Sequence, residues 1–153
     1  MMENVVVDSS VAIKWFITEL YSDESRKILD GYKAGDINFL APDLINAEVG
    51  NIIWKKHRLQ DLSAEDAQEI MDTFKTVMID FTSSAALMDE AYQLAITHER
   101  TVYDMMYVAM SKREKCRFVT ADERLVNAIG KHFSDVVWIA NWPGRVTTNE
   151  NDK

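Results

Sequence analysis

Four carboxylates, Asp8, Glu48, Asp104 and Asp122, stand where a carboxylate is costly to hold. Asp8 ends the apolar run Val5-Val6-Val7, and Asp122 follows Phe118-Val119-Thr120-Ala121. Glu48 has Ala47, Val49 and Ile52 around it, and Asp104 lies within Tyr103-Asp104-Met105-Met106-Tyr107-Val108-Ala109. Apolar surroundings disfavour the charged form of each acid, and carboxylates that converge in such places usually share a cation. An oxygen-only donor set suits Mg²⁺ or Mn²⁺, whereas zinc would favour His or Cys. His57, His98 and His132 show no metal-like spacing and read as solvated residues at helix ends. A cation held this way orients and activates water for in-line attack at phosphorus and neutralises the developing charge.

Each acid also has a plainer reading. Asp8 could cap the helix that follows it, although Ser9 or Ser10 would serve as well. Asp104 could complement a helix N-terminus, worth about 0.3–1 kcal/mol. Asp122 could be an N-cap for the helix carrying Leu125 and Ile129, and Glu48 alone is weak evidence. Four acids that all fall at crevice-facing positions outweigh four separate coincidences. Asp30 and Asp43, by contrast, read as ordinary helix-end or surface acids.

The elements that must position these side chains follow from patterning. Val5–Val7 is β-branched and uninterrupted, like a strand buried on both faces. Asp8-Ser9-Ser10 then opens a helix through Val11, Ile13, Trp15 and Phe16, and Ser22-Asp23-Glu24 opens a second that ends at Gly31 or Gly35. A strand over 37–41 precedes a longer helix from Pro42-Asp43 to near Arg58. Ser63-Ala64-Glu65-Asp66 caps the next, which reaches about Thr76, and a strand follows over 77–81. Helices from Ser83 or Ser84 to about His98 and over 102–112 lead to a strand at 117–120, a helix at 122–129 and a last strand at 136–139. Strands separated by helices imply an α/β fold, a three-layer α/β/α sandwich around a mostly parallel sheet. Ligands of such sheets collect beyond the carboxyl ends of the strands, where strand order reverses. Asp8 and Asp122 directly follow strands and should face that crevice.

The 153 residues suit one domain, expected over 1–146 with a polar tail at 147–153. The composition, 47% hydrophobic and 27% charged, is that of a globular protein. No apolar run approaches the roughly 20 residues that span a bilayer, and Met1-Met2-Glu3-Asn4 lacks the basic start of a secretory signal. Cys116 is the only cysteine, which excludes an internal disulfide framework and a cysteine-rich zinc site. A cytoplasmic location is expected. The net charge of −8 argues against a generic nucleic-acid binder but not against a nuclease whose acids are offset by metal. Candidate cations for an RNA backbone are Lys14, Lys55, Lys56, Arg58, Arg100, Lys112, Arg113 and Arg124, with Lys14 and Arg124 preferred as neighbours of the acidic motifs. Trp15 and Trp54 sit at core-like spacing, and packing is the default for Trp138 and Trp142.

Other chemistries fit worse. Ser9 and Ser10 lack a Gly-x-Ser-x-Gly elbow and a His partner. Neither a phosphate-binding Gly-x-x-x-x-Gly-Lys loop nor a Gly-x-Gly-x-x-Gly fingerprint is present. A haloacid-dehalogenase-like phosphatase would need an Asp where Ser10 stands.

Four blocks, in order, carry a family resemblance: Val7-Asp8-Ser9-Ser10-Val11-Ala12-Ile13-Lys14-Trp15-Phe16, Ala41-Pro42-Asp43-Leu44-Ile45-Asn46-Ala47-Glu48-Val49, Tyr103 to Ala109, and Phe118-Val119-Thr120-Ala121-Asp122-Glu123-Arg124-Leu125. Together they span most of the chain, and it resembles the PIN-domain ribonucleases, particularly the VapC-type toxins of bacterial toxin–antitoxin pairs. The resemblance implies a Mg²⁺- or Mn²⁺-dependent endoribonuclease. Asp8 and Asp104 would be its principal metal ligands, Glu48 and Asp122 would complete the acidic cluster, and Ser10 and Thr120 would support it by hydrogen bonding. It also implies a homodimer and a cognate antitoxin that inserts a segment, often with an Arg, into the site. The alternatives are an inactive PIN-like protein-binding module and a metal-dependent phosphatase.

Overall fold

The computed structural model describes residues 2–143; the polar tail expected at 147–153 and part of the expected domain lie outside them. Among the described residues, five strands and seven α-helices alternate. Strand β1 (Glu3–Val7) leads through α1 (Ser9–Ala12) and a 3₁₀ turn (Ile13–Trp15) to α2 (Ser22–Lys33) and β2 (Ile37–Pro42). Helices α3 (Leu44–Leu59) and α4 (Ala64–Thr76) follow, then β3 (Ile79–Thr82), α5 (Ser84–His98), α6 (Val102–Glu114), β4 (Arg117–Thr120), α7 (Glu123–Ile129) and β5 (Val136–Trp138).

The sheet runs in the order β3-β2-β1-β4-β5, and every pair is parallel. The chain builds outward from β1 in one direction through β2 and β3, then returns to the other side of β1 for β4 and β5. Strand order thus reverses between β1 and β4, the place where an open parallel sheet leaves a crevice.

Register shows which residues share a face. Val5 pairs with Phe39 and Arg117, and Val6 with Leu40 and Phe118, so Phe39 and Phe118 point to opposite layers. Phe39 stacks on Trp15 and Tyr32, at centroid distances of 4.8 and 5.0 Å. Phe118 stacks on Tyr107 of α6 at 5.6 Å. Val5, Val6 and Val7 are wholly buried, which is worth about 1.5–3 kcal/mol for each side chain. Helix α6 is buried without a break from Met105 to Ser111 and lies across β1, β2 and β4. It is a core helix rather than an amphipathic one.

Three expectations shift. The segment after Asp8 is one α-helical turn followed by a 3₁₀ turn, because Phe16 and Ile17 both bond back to the Ile13 carbonyl and close the turn. The third strand begins at Ile79, not Val77. The Val77 amide still bonds the Phe74 carbonyl at the end of α4, and the Met78 amide is taken by the Tyr32 hydroxyl. Trp54 is exposed rather than packed, since it faces outward from α3, whereas Trp15 is buried. Among the described residues, no helix is long and apolar enough to cross a membrane.

Candidate active site

Asp8 leaves the end of β1 and is buried at the β1/β4 reversal point. It is the N-cap of α1, and its Oδ1 accepts the Val11 amide at 3.2 Å. The plain capping reading therefore holds, yet it does not exhaust the side chain. Ser10 Oγ donates to Oδ1 at 2.6 Å and Thr120 Oγ1 to Oδ2 at 2.5 Å. Those two hydroxyls accept the backbone amides of Ala121 and Asp122. With an N–H already pointing at each oxygen, their own protons are directed to Asp8. The result ties the end of β1 to the turn after β4. Burial nevertheless dominates, raising the Asp8 carboxyl to about 6 against these hydrogen bonds, with the Glu48 charge adding to the rise.

Glu48 projects from the second turn of α3 and is half-buried. Its Oε1 accepts the Tyr107 hydroxyl at 2.6 Å and the Ser9 hydroxyl at 3.3 Å. Burial lifts its carboxyl above the usual range, the two hydroxyls oppose the rise, and Asp104 adds to it. Tyr107 is pushed far above its ordinary range by burial and by the Glu48 and Asp8 charges, so it stays a neutral donor.

Asp104 sits in the first turn of α6, where Thr101 caps the helix by accepting the Asp104 amide at 3.1 Å. Its carboxyl is raised mainly by burial; Arg100, 3.6 Å away, opposes the shift and Asp122 adds to it. Asp122 is the N-cap of α7 and accepts the Leu125 amide at 3.2 Å. The four acids are thus linked by repulsion in series: Glu48 acts on Asp8, Asp104 on Glu48, and Asp122 on Asp104. Among the described residues, one cation, Arg100, is paired with any of them.

The donor set is all oxygen, as a hard cation needs. No three Asp, Glu, His or Cys side chains among the described residues form a ready-made cage for one ion. The arrangement therefore fits a cation that takes one or two carboxylates and completes its shell with water, the habit of Mg²⁺, and does not fit a closed zinc site. Among the described residues, Asp8 Oδ2 has one hydroxyl donor, and Glu48 Oε2, Asp104 Oδ1 and Asp122 Oδ2 have no hydrogen-bond partner.

The two basic residues singled out from the sequence differ. Lys14 is drawn into an ion pair with Glu19 at 2.8 Å and is mostly covered. Arg124, beside Asp122, is exposed on α7. Three neighbours of the acids were not assigned to the site from sequence. Tyr107 follows Asp104 by three residues, one helical turn, and that spacing was its legible signal. Arg100 precedes Asp104 by four on the same side but was grouped with possible RNA contacts. Ser9 was read only as a cap.

Comparison with known proteins gives the chain's family and fold relatives. The PIN domain family matches residues 5–131. The chain is 30% identical over 125 residues to ribonuclease VapC3 of Pyrobaculum aerophilum, covering 79% of this chain and 91% of that one. Among solved structures, PAE2754 from Pyrobaculum aerophilum superposes with a TM-score of 0.67 at 18% identity, covering 91% of this chain and 85% of that one. VapBC2 from Rickettsia felis, solved bound to a DNA fragment from its promoter, gives 0.59 at 11% identity, over 88% and 96%. At those identities the two structures show the fold. The chain belongs to the PIN-domain family, in its VapC group.

Proposed function

We propose that this PIN-domain protein is a divalent-metal-dependent endoribonuclease, the toxin of a toxin–antitoxin pair, acting in the cytoplasm. The feature that carries the reading is the gathering of Asp8, Glu48, Asp104 and Asp122 near the strand-order reversal, where, among the described residues, Arg100 is the one cation paired with any of them. Four acids gathered with so little positive charge have a use for a cation. Asp8 and Asp104 would be its principal holders, with Glu48 and Asp122 beside them. When bound, Mg²⁺ or Mn²⁺ supplies water activation and charge neutralisation at a phosphodiester.

The chain's own residues supply the rest. Ser10 and Thr120 fix both oxygens of Asp8, so the carboxylate does not rotate. Tyr107 and Ser9 hold Glu48 by one oxygen. Arg100 tethers Asp104. Arg124, exposed next to Asp122, is placed to meet an RNA phosphate, whereas Lys14 serves Glu19.

Two surfaces support the partner readings. Phe16, Ile17, Leu62 and Ile70 line a groove of about 440 Å³ rimmed by Asp66 and Glu69, which suits a segment of an antitoxin carrying apolar and basic side chains. On α5, Met88, Tyr92 and Ile96 are exposed at a spacing of four, one continuous apolar stripe, which supports a homodimer. The test is cleavage of RNA by purified protein with Mn²⁺, alongside Asp8→Asn and Asp104→Asn. Cleavage that needs the metal and is lost in both folded variants is expected; cleavage at the wild-type rate by both variants would sink the reading.

A further inference from the structure

We infer that Tyr107 is a positioning residue whose hydroxyl sets Glu48 for metal binding and cleavage; this rests on the nuclease reading above. The phenol is buried and its ring is stacked on Phe118, so it has no freedom to follow Glu48 and instead holds it. The 2.6 Å hydrogen bond, joined by Ser9 at 3.3 Å, commits Oε1, and among the described residues Oε2 has no partner. Glu48 therefore presents one oxygen in a fixed direction.

The choice of donor matters as much as its position. A Lys or Arg at this place would fix Glu48 and also cancel its charge, doing the cation's work and competing with it. A neutral phenol orients the carboxylate while leaving its charge available. Asp8 is treated alike, by Ser10 and Thr120. The spacing completes the case: Tyr107 stands three residues after Asp104 on α6, so one helix both presents an acid and aims another that comes from α3.

The test is Tyr107→Phe, which keeps the ring, the stack on Phe118 and the core volume and removes one hydroxyl. Mn²⁺ binding measured by calorimetry should weaken about 10-fold or more, and kcat should fall about 10- to 100-fold, while KM for RNA stays within about 2-fold. Ser9→Ala, the weaker donor, should move the same readouts in the same direction by less. In a Glu48→Ala background, Tyr107→Phe should add nothing to the loss of Mn²⁺ affinity, whereas a purely structural tyrosine would exact the same loss in both backgrounds. Wild-type Mn²⁺ affinity and kcat in Tyr107→Phe would overturn this proposal alone. A wild-type protein that binds no Mn²⁺ and cuts no RNA would overturn it together with the nuclease reading.

Discussion

Glu19 and Asp8 are both acids drawn into the body of the protein, and they are treated in opposite ways. Glu19 meets Lys14 at 2.8 Å on one oxygen and Lys56 at 3.1 Å on the other. Burial pushes its carboxyl up, but the two lysines together hold it below the usual range. Asp8 is more deeply buried, receives only neutral donors and faces another acid. The first acid is neutralised by lysines; the second is held by neutral groups alone. A chain able to build the Glu19 cluster could have built one around Asp8. On the proposed reading, the β1/β4 crevice is a place kept open for a cation.

The contrast breaks most sharply at the chemistry. Asp8→Asn should reduce RNA cleavage by at least about a thousandfold, while Glu19→Gln should leave it within about twofold; comparable losses in a gel-based cleavage assay would erase the distinction. The next effect is on pH dependence. Asp8 rises from 3.8 to about 6 on folding, so between these values the folded form binds more protons than the unfolded one, and stability falls as pH rises. The full penalty, roughly 3 kcal/mol, applies above about pH 6. Metal-free Asp8→Asn should therefore gain on the wild type in thermal melts from pH 4 to pH 6, then run parallel to it. A constant gap would show that the buried charge is not what costs stability.

Adding the cation should close that gap from the other side. Mn²⁺ at a hundred times its dissociation constant should stabilise the wild type by about 2.7 kcal/mol and Asp8→Asn far less, as read from melting temperatures at pH 7. The smallest effect belongs to the compensated acid. Glu19→Gln should cost no more than about 1 kcal/mol, since the pair is partly solvated, and no metal should restore it. Its pH dependence has the reverse sign: a carboxyl lowered on folding stabilises above its unfolded pKa, and that contribution fades as pH falls through the folded value. Opposite slopes for the two acids would sharpen the comparison; parallel slopes would dissolve it.

Much of this was legible in the chain. Val5–Val7, Ile37–Pro42 and Arg117–Thr120 announce buried strands through β-branched and aromatic runs, and Ser63 and Ser83 cap helices where their side chains reach the amides of Asp66 and Ala86. The acids stood out because each is dear where it stands. What the sequence withheld is pairing across long distances. Lys14 beside Asp8 reads like a substrate contact until Glu19 is seen to hold it. Trp54 reads like core until α3 turns it outward. Tyr107 reads like one more apolar position of α6: its spacing from Asp104 puts it on the same side of the helix, but its hydrogen bond is to Glu48, 59 residues away.

The bond from Thr120 to Asp8 joins residues 112 apart. During synthesis, Asp8, Glu48 and Asp104 all leave the ribosome before β4 exists to seat beside β1. Until then the first acid lacks the Thr120 hydroxyl, and the Ala121 and Asp122 amides that aim Ser10 and Thr120 are missing. A nascent or prematurely terminated chain thus carries three of the four acids without the frame that orients them. On the nuclease reading, late closure of the crevice would delay activity until β4 is seated.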